Sequence, residues 1–261
     1  MDSTKLAKEK IGILGGRGQV GSALARFYDK PLIKDLEINE FVLDLDILHV
    51  CVPWSDNFTR IVEDAIKDYS PKLTIIHSSV AIGTTWDLTR RFGNVVHSPV
   101  RGVHPYLYEG LKTFVKFVGA DDENTGRKAV RHLIKAGMPA RFLGPSRETE
   151  LGKLLDTTYY GSCIAFHDYA DFLCKNLFCD FDNVMTKFNS TYNKGYRKLK
   201  KGNVIRPILY PPRSKVGGHC IVPNIEILRK QFGYDPMLES IFWADRTTSI
   251  QLRKKEEKKD G

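Results

Sequence analysis

The segment KVGGHCIVP, which runs from Lys215 to Pro223, places a cysteine directly after two glycines and a histidine. A pair of glycines lets the backbone approach a bound molecule closely, because neither residue has a side chain. Cys220 could then act as a nucleophile, as a metal ligand or as a small buried residue. The residue types alone leave these three interpretations open, so the elements that position the cysteine must decide among them.

A second segment of this kind lies near the N-terminus, where GRGQVG follows a short apolar stretch and precedes a helical pattern at residues 22–28. This is G-x-G-x-x-G in its strand–turn–helix context, in which the glycines make the turn, approach a pyrophosphate and pack the helix on the strand. Asp35 lies 19 positions after the first glycine, where a carboxylate can bind the ribose hydroxyls of NAD. We therefore predict an NAD site formed by Gly16, Arg17, Gly18, Gln19, Val20, Gly21 and Asp35.

Apolar stretches at residues 46–53, 73–79 and 94–99 predict three more strands, and a helical pattern at residues 58–66 separates the first two. Strands that alternate with helices indicate an α/β fold with a Rossmann-type parallel sheet and ligands at the carboxyl ends of the strands. Only about ten residues separate Asp35 from Asp46, too few for a helix and a strand, so we predict a shortened second βα unit.

The second half of the sequence is mainly helical. Residues 147–177 predict one long helix, with Gly161 inside it and an apolar face of Leu151, Leu154, Leu155, Tyr159, Ser162, Phe166, Ala170, Leu173 and Leu177. A helix of this length suits a connection between two domains, a dimer interface or both. Further helices are predicted at residues 182–196 and 224–232. We expect an NAD-binding domain at 1–146, a helical substrate and dimerisation domain at 147–250, and a frayed, charged tail at 251–261.

Composition excludes several classes of protein. The chain has 261 residues, 42 % of them hydrophobic, and no apolar run approaches the roughly 20 residues that cross a bilayer. The N-terminus lacks the apolar stretch of a signal peptide, so we expect a cytoplasmic protein. Five cysteines without a C-x-x-C pair predict neither a disulfide framework nor a metal site. The net charge of +9 suits a phosphorylated ligand or a solvated face better than nucleic acid.

Several motifs in a fixed order make the chain resemble the UDP-glucose/GDP-mannose dehydrogenase family, nearest to its UDP-N-acetyl-hexosamine branch. Residues 16–21 match its G-x-G-x-V-G, and residues 50–53 are similar to the end of its fourth strand. Residues 78–85 resemble its S-T-V-x-x-G-T-T, 98–101 its S-P-E-R and 150–154 its E-L-x-K-L. Residues 216–221 match V-G-G-H-C-I. The agreement covers roughly residues 11–230, and we expect the last domain of the family to be absent.

The resemblance implies oxidation of a sugar CH₂OH group by NAD⁺, in two steps, to a carboxylate. Cys220 would attack the aldehyde, and the thiohemiacetal would be oxidised to a thioester. Lys153 would stabilise the oxyanion. The remaining implied site residues are Ser79, Thr157 and Asn224 for catalysis, Val52 and Pro53 for the cofactor, and Gly217, Gly218, His219, Arg213 and Tyr196 for the substrate.

The sequence departs from the family at four of these positions. A glutamate that assists thioester hydrolysis is replaced by Val100, and an aspartate that partners the lysine is replaced by Asn224. An asparagine is replaced by Thr157 and a threonine by Ser79. Because general acid–base catalysis contributes about 10²–10⁴ in rate, these losses put the complete reaction in doubt.

Three hypotheses follow. The first is an NAD-dependent dehydrogenase, a homodimer, that acts on a nucleotide sugar. The second is a non-catalytic relative that binds NAD or a nucleotide sugar as a sensor or assembly subunit. The third is a 3-hydroxyacid or 6-phosphogluconate-type dehydrogenase, which also uses a helix lysine but does not need Cys220. Histidines 77 and 97 are expected to be structural.

Overall fold

The computed structural model describes residues 9–103, 105–212, 216 and 220–257, with side chains up to residue 246. The chain divides into two compact units, Met1–Lys153 and Leu154–Gly261. The substrate positions Arg213, Gly217, Gly218 and His219 lie outside the described residues. None of the described helices combines the length and the apolar composition that a membrane span requires.

The first unit is built on one eight-stranded sheet with the strand order β3-β2-β1-β4-β5-β6-β7-β8. All neighbouring pairs are parallel except β2 with β3 and β6 with β7. The strands are β1 Ile11–Leu14, β2 Leu32–Asp35, β3 Ile38–Asn39, β4 Ile47–Val50, β5 Leu73–Ile76, β6 Val95–His97, β7 Lys116–Gly119 and β8 Ala140–Gly144. This confirms the predicted α/β fold with a Rossmann-type sheet.

Helices cover both faces of this sheet. They are α1 Gln19–Ala25, α2 Phe58–Tyr69, α3 Thr84–Phe92, α4 Leu107–Thr113 and α5 Glu123–Lys135. Neighbouring strand residues such as Ile75 and Ile76 are both fully buried and belong to two separate apolar clusters. Because successive side chains of a strand point to opposite faces, a sheet that is covered on both sides needs such continuous apolar runs.

The structure also confirms the predicted shortening of the second βα segment of the sheet. Between β2 and β4 the chain makes only a tight hairpin, in which Asp35 pairs with Ile38 on the antiparallel edge strand β3. No helix fits into this short connection, so the next parallel strand follows directly.

The second unit begins within helix α6, Ser146–Asn176, which matches the long helix predicted from the sequence. A π-helical turn, Asp182–Thr186, leads into α7 Lys187–Lys198, and a short 3₁₀ turn follows at Gly202–Val204. Helices α8 Ile221–Phe232 and α9 Pro236–Glu257 complete the unit. Helix α9 extends into the charged tail as far as Glu257, since lysine, arginine and glutamate are good helix formers.

The apolar face predicted for α6 divides in the structure. Leu154 and Ala170 are buried, whereas Leu155, Tyr159 and Phe166 are 50 %, 61 % and 57 % exposed. Small residues make the packed side instead. A Cβ on Gly161 would lie 2.7 Å from a methyl group of Ile221 in α8, so only glycine permits this close approach.

Candidate functional site

The glycine-rich turn between β1 and α1 is shaped by contacts that exclude side chains. Gly15, which the sequence motif did not include, has the left-handed backbone (φ +78°) that makes the turn. A Cβ on Gly16 would lie 2.7 Å from the side chain of Ile33, and one on Gly21 would overlap the carbonyl oxygen of Gly15. The turn therefore needs glycine for tight packing of strand and helix, as the motif predicts for its third glycine.

Asp35 lies at the carboxyl end of β2, beside this turn. Its Oδ2 accepts a hydrogen bond from the backbone N–H of Arg17 at 2.8 Å, and its Oδ1 accepts one from the N–H of Leu36 at 2.9 Å. Each oxygen keeps a further lone pair for a hydroxyl group. The adjacent Leu36 is fully exposed and offers an apolar surface next to the carboxylate. A dinucleotide ribose with its attached base fits these neighbours.

The next two strand ends are tied together by side chains. The Ser78 hydroxyl donates to the carbonyl of Val52 at 2.6 Å, which fixes the segment before Pro53. Nε2 of His97 lies 3.0 Å from the Ser78 carbonyl, and its Nδ1 lies 2.8 Å from the Thr149 hydroxyl. These hydrogen bonds hold Ser78, and with it the adjacent Ser79, at the carboxyl edge of the sheet. This is the edge at which the sequence predicts that ligands bind. His97 is structural, as expected.

The turn after β6 is held from the interior of the unit. Nζ of Lys116, a residue only 1 % exposed, lies 2.7 Å from the Ser98 carbonyl and 3.1 Å from the Pro99 carbonyl. Val100 follows this turn and belongs to the apolar core with Leu107 and Leu111. The family that the chain resembles has a glutamate at this position. Here the position packs in the core, so an apolar side chain fits it, and valine cannot transfer a proton.

The start of helix α6 contributes two charged residues to the first unit. Glu150 is fully buried, and its carboxylate accepts hydrogen bonds from the N–H groups of Gly83 and Thr85 at 2.7 and 2.8 Å, which caps α3. One turn later along α6 comes Lys153, whose charge is the smallest of the causes that act on the pKa of His97, which burial lowers most.

The second unit contains the other catalytic candidates. Cys220 is exposed and occupies the N-cap position of α8, whose first turn presents the N–H groups of Ile221 and Val222 but none from Pro223. One turn into the helix, Nδ2 of the buried Asn224 donates to the Thr157 hydroxyl of α6 at 3.1 Å. The two positions at which the family has an aspartate and an asparagine therefore contact each other in this chain.

Tyr196 lies on helix α7 among other aromatic and basic side chains. Its ring stacks on Tyr192 with centroids 6.0 Å apart, and the Arg206 guanidinium lies 4.2 Å from the Tyr192 centroid. Asn193 fixes Arg206 through two backbone hydrogen bonds of 2.8 and 2.9 Å. An open groove of about 460 Å³ runs along this side of α7, lined by Phe188, Thr191, Tyr192, Gly195, Tyr196 and Leu199.

The sheet, the glycine turn and the acidic strand end together define a Rossmann-type fold in the first unit. Among solved structures, the chain is similar to UDP-D-ManNAc dehydrogenase from Pyrococcus horikoshii, with a TM-score of 0.69 and 16 % identity over 92 % of this chain and 68 % of that one. It is also similar to a UDP-glucose dehydrogenase from Pyrobaculum islandicum, with a TM-score of 0.65 and 14 % identity over 95 % and 70 %.

A third similar structure is 3-hydroxyisobutyrate dehydrogenase from Mycobacterium tuberculosis, with a TM-score of 0.66 and 12 % identity over 90 % of this chain and 91 % of that one. No family model and no curated protein matches the sequence. At these identities the similarity establishes the fold.

Sequence reasoning missed two residues that organise the sheet edge, Lys116 and Gly15. The available signal for Lys116 was its position at the start of the apolar stretch of β7. A lysine in such a stretch is almost never fully buried without partners, so it indicates a bonded role for the amine. The double glycine at positions 15 and 16 left open which of the two makes the turn.

Proposed function

We propose that the protein is an NAD-dependent oxidoreductase that acts on a CH–OH group and resembles the nucleotide-sugar 6-dehydrogenases. The observation that supports this most directly is the glycine turn with Asp35 hydrogen-bonded across it to Arg17. A carboxylate at this position favours the free ribose hydroxyls of NAD over the 2′-phosphate of NADP. Gly16, Gly18 and Gly21, with Gln19, Val20, Val52 and Pro53, would hold the cofactor, which accepts hydride when bound.

In the proposed reaction the chain's own residues bind and position the substrate carbon. Lys153 stabilises negative charge on the substrate oxygen as a fixed cation. The Cys220 thiolate adds to the aldehyde formed in the first oxidation, and the thiohemiacetal loses a second hydride to become a thioester. Water must then cleave the thioester to give the carboxylate. Ser79, Thr157 and Asn224 would orient polar groups around these steps.

The last step is the one that this chain is least equipped to perform. Val100 packs in the core, and Asn224 donates its amide hydrogen to Thr157 rather than presenting a carboxylate. Neither side chain can accept a proton from water near neutral pH. We therefore expect hydrolysis of the thioester to be slower than the same step assisted by a general base, by roughly the 10²–10⁴ that such a base contributes.

The distribution of charge supports a phosphorylated substrate. Residues 187–225 contain nine lysines and arginines and no aspartate or glutamate, so the rest of the chain has 31 residues of each sign. The whole excess charge thus lies in the segment that contains Tyr196, Arg213, Cys220 and the glycine pair. A diphosphate would compensate part of this charge, since arginine and lysine are the usual partners of phosphate.

The exposed side of helix α6 supports a homodimer. Leu155, Tyr159, Phe166, Tyr169 and Leu173 follow one another at helical spacing and are all at least 39 % exposed. Such a contiguous apolar stripe is typical of a surface that another chain covers. We expect a second copy to cover it, and Phe166→Glu should shift the protein to a monomer in size-exclusion chromatography.

A cytoplasmic location remains a prediction.

Two other functions have specific support. The hydrogen bond between Asn224 and Thr157 shows that both replaced positions fit each other, which favours a non-catalytic protein that binds NAD or a nucleotide sugar. The nearly complete mutual coverage with 3-hydroxyisobutyrate dehydrogenase favours a 3-hydroxyacid-type enzyme, which would use Lys153 without Cys220.

One experiment separates the three functions. Purified protein is mixed with NAD⁺ and either UDP-, GDP- and dTDP-sugars or short 3-hydroxy acids, while NADH is followed and products are identified by mass spectrometry. NADH formation with a sugar, together with a covalent adduct on Cys220, supports the leading proposal. NADH formation with a hydroxy acid that survives Cys220→Ser supports the third function. Binding without NADH formation supports the second, and Cys179→Ser is the matched control, since Cys179 is also exposed.

A further inference from the structure

A chain of polar side chains crosses the interior of the first unit, in a region that the proposed reaction does not use. Nδ1 of His49 lies 2.9 Å from Nε2 of His77, and Nε2 of His49 lies 3.2 Å from Nε2 of His132. His49 and His77 are at most 2 % exposed, and His132 is 9 % exposed. The two nitrogens of His49 face different partners, and no three potential metal ligands converge among the described residues.

The hydrogen positions in this chain follow from its inner end. Nδ1 of His77 lies 3.0 Å from the Ser98 carbonyl, which can only accept, so Nδ1 carries the hydrogen. In a neutral ring Nε2 of His77 then accepts, and Nδ1 of His49 donates to it. By the same argument Nε2 of His49 accepts, so Nε2 of His132 carries a hydrogen, because two lone pairs would otherwise face each other. The Tyr28 hydroxyl, whose oxygen lies 2.9 Å from the same Nε2, can also accept this hydrogen. In this arrangement each of the three rings has one tautomer.

The outer end of the chain is left with one atom that can take up a proton. Nδ1 of His132 carries no hydrogen in this arrangement, and it lies 4.0 Å from the carboxylate of Glu9 near the surface. Protonation there creates an ion pair and breaks no bond of the chain. Protonation of His49 or His77 would instead place a charge in the core and replace an acceptor by a donor.

The inner end meets the turn at the carboxyl edge of the sheet. The Ser98 carbonyl accepts from both His77 and Lys116, Lys116 also donates to the Pro99 carbonyl, and the Val100 N–H donates to the His77 carbonyl at 3.3 Å. The turn is therefore bonded to His77 twice, through the Ser98 carbonyl to its ring and through the Val100 N–H to its backbone carbonyl.

We propose that the chain His132–His49–His77 is a proton-linked positioning device, which takes up one proton at Nδ1 of His132 and thereby strengthens the hydrogen bond to the Ser98 carbonyl. A positive charge on His132 polarises its Nε2–H, and each following N–H in turn, because bonds in a hydrogen-bonded chain reinforce one another. No proton has to cross the core for the effect to reach the turn.

The groups that face the chain set the sign of this response. Glu9 favours the charged form of His132, whereas burial and Lys135 oppose it, so that the pKa of His132 lies below its ordinary value. Burial dominates at His49 and His77 and lowers the pKa of both far more. The remaining groups that act on the chain are Tyr28, Cys51, His97, Lys116 and, through Lys116, Lys153. His132 is consequently the first member to be protonated on acidification.

Nuclear magnetic resonance of the full ¹⁵N,¹³C-labelled chain tests the proposal without cofactor or substrate. Ring ¹⁵N–¹H correlations should show hydrogen on Nδ1 of His49 and His77 and on Nε2 of His132. Between about pH 8 and pH 5, His132 should titrate first, and the Ser98 carbonyl carbon should move downfield with the same midpoint. Opposite tautomers, or a Ser98 signal that stays constant while His132 titrates, would overturn the proposal.

Two variants and one control variant make the test specific. Glu9→Gln should lower the proton affinity of His132 about fivefold and shift both midpoints together, as expected for one carboxylate at 4 Å in water. Glu123→Gln, an exposed change on the same helix as His132, should shift neither. His132→Gln keeps an N–H donor for His49 but cannot be charged, so the Ser98 signal should lose its titration. A Ser98 midpoint unchanged in both Glu9→Gln and His132→Gln would contradict the coupling.

A consequence for the candidate site rests on the proposed function. If the turn helps to shape the cofactor site, the dissociation constant of NADH should change with the midpoint of His132, and His132→Gln should remove that change. Absence of NADH binding at every pH would refute the proposed function and leave the magnetic resonance result standing. Binding with no such midpoint would refute the link from the turn to the cofactor.

Discussion

The first unit should lose stability steeply in mildly acidic solution, because it encloses histidines that stay neutral only when folded. Burial lowers the pKa of His49 and His77 well below the ordinary value and that of His97 to about 3. The unfolded chain protonates these residues near pH 6.5. Their contribution to the free energy of unfolding is therefore complete above about pH 6.5 and is lost as the pH falls below it.

The size of the loss follows from the number of histidines. Each one costs about 1.4 kcal/mol between pH 7.5 and 5.5, so three cost about 4 kcal/mol, a large part of a typical stability of 5–15 kcal/mol. Asp46 and Asp122, whose pKa values are lowered by hydrogen bonds, lose their contributions only at lower pH. Glu150 acts in the opposite direction, because burial raises its pKa.

Urea unfolding at these pH values measures the effect. A Trp243→Phe background leaves tryptophan fluorescence only from Trp54 and Trp86, which both belong to the first unit. His97→Gln should reduce the pH-dependent loss by about one third, whereas His167→Gln in the second unit should leave it unchanged. A free energy of unfolding that stays constant within about 1 kcal/mol from pH 7.5 to 5.5 would refute the reasoning.

Three further predictions concern single positions. Gly21→Ala should destabilise the first unit by more than about 1 kcal/mol, because its Cβ would overlap the Gly15 carbonyl, whereas Gly152→Ala, with open space around it, should be neutral or stabilising in the same thermal unfolding assay. Cys220 should react with iodoacetamide in the native protein. Cys51 should react only after unfolding, because burial raises the pKa of its thiol to about 12. Mass spectrometry of the two cysteine-containing peptides checks both outcomes. If the proposed oxidation occurs, Asn224→Asp should speed thioester hydrolysis at least tenfold in single-turnover assays, and an unchanged rate would count against the assigned role.

The sequence predicts the architecture well because its signals are local. Continuous apolar runs mark the buried strands, and the short distance from Asp35 to Asp46 excludes a helix there, as the hairpin at β3 confirms. The strands β7 and β8 were not predicted, since Lys116 in β7 and Arg141 in β8 interrupt the continuous apolar runs that mark the other strands. Helix α6 was found by its length, yet its packed side was wrong in part, because glycine, alanine and threonine allow closer packing than leucine and phenylalanine do.

The candidate site divides in a similar way. A motif predicts which residues meet at the glycine turn, because backbone geometry alone demands glycine and the next strand end supplies Asp35. It cannot reveal that Val100 packs in the core or that Asn224 bonds Thr157, since both facts depend on residues distant in sequence. For the same reason no local pattern pointed to a chain that links His132 to Ser98 through two other strands.

The replaced acidic positions differ in their surroundings. A glutamate at position 100 would be placed in the apolar core beside Leu107 and Leu111, and an aspartate at 224 would be buried next to the Thr157 hydroxyl. An uncompensated carboxylate at position 100 costs several kcal/mol, so the apolar residue suits its surroundings. A carboxylate at position 224 could instead accept a hydrogen bond from the Thr157 hydroxyl. In the proposed reaction, Cys220 at a helix N-terminus would form the thiohemiacetal and Lys153 would stabilise the oxyanion. Under that proposal we expect the oxidation steps to be favoured over release of a carboxylate, and the identity of the released product is the property that tests this.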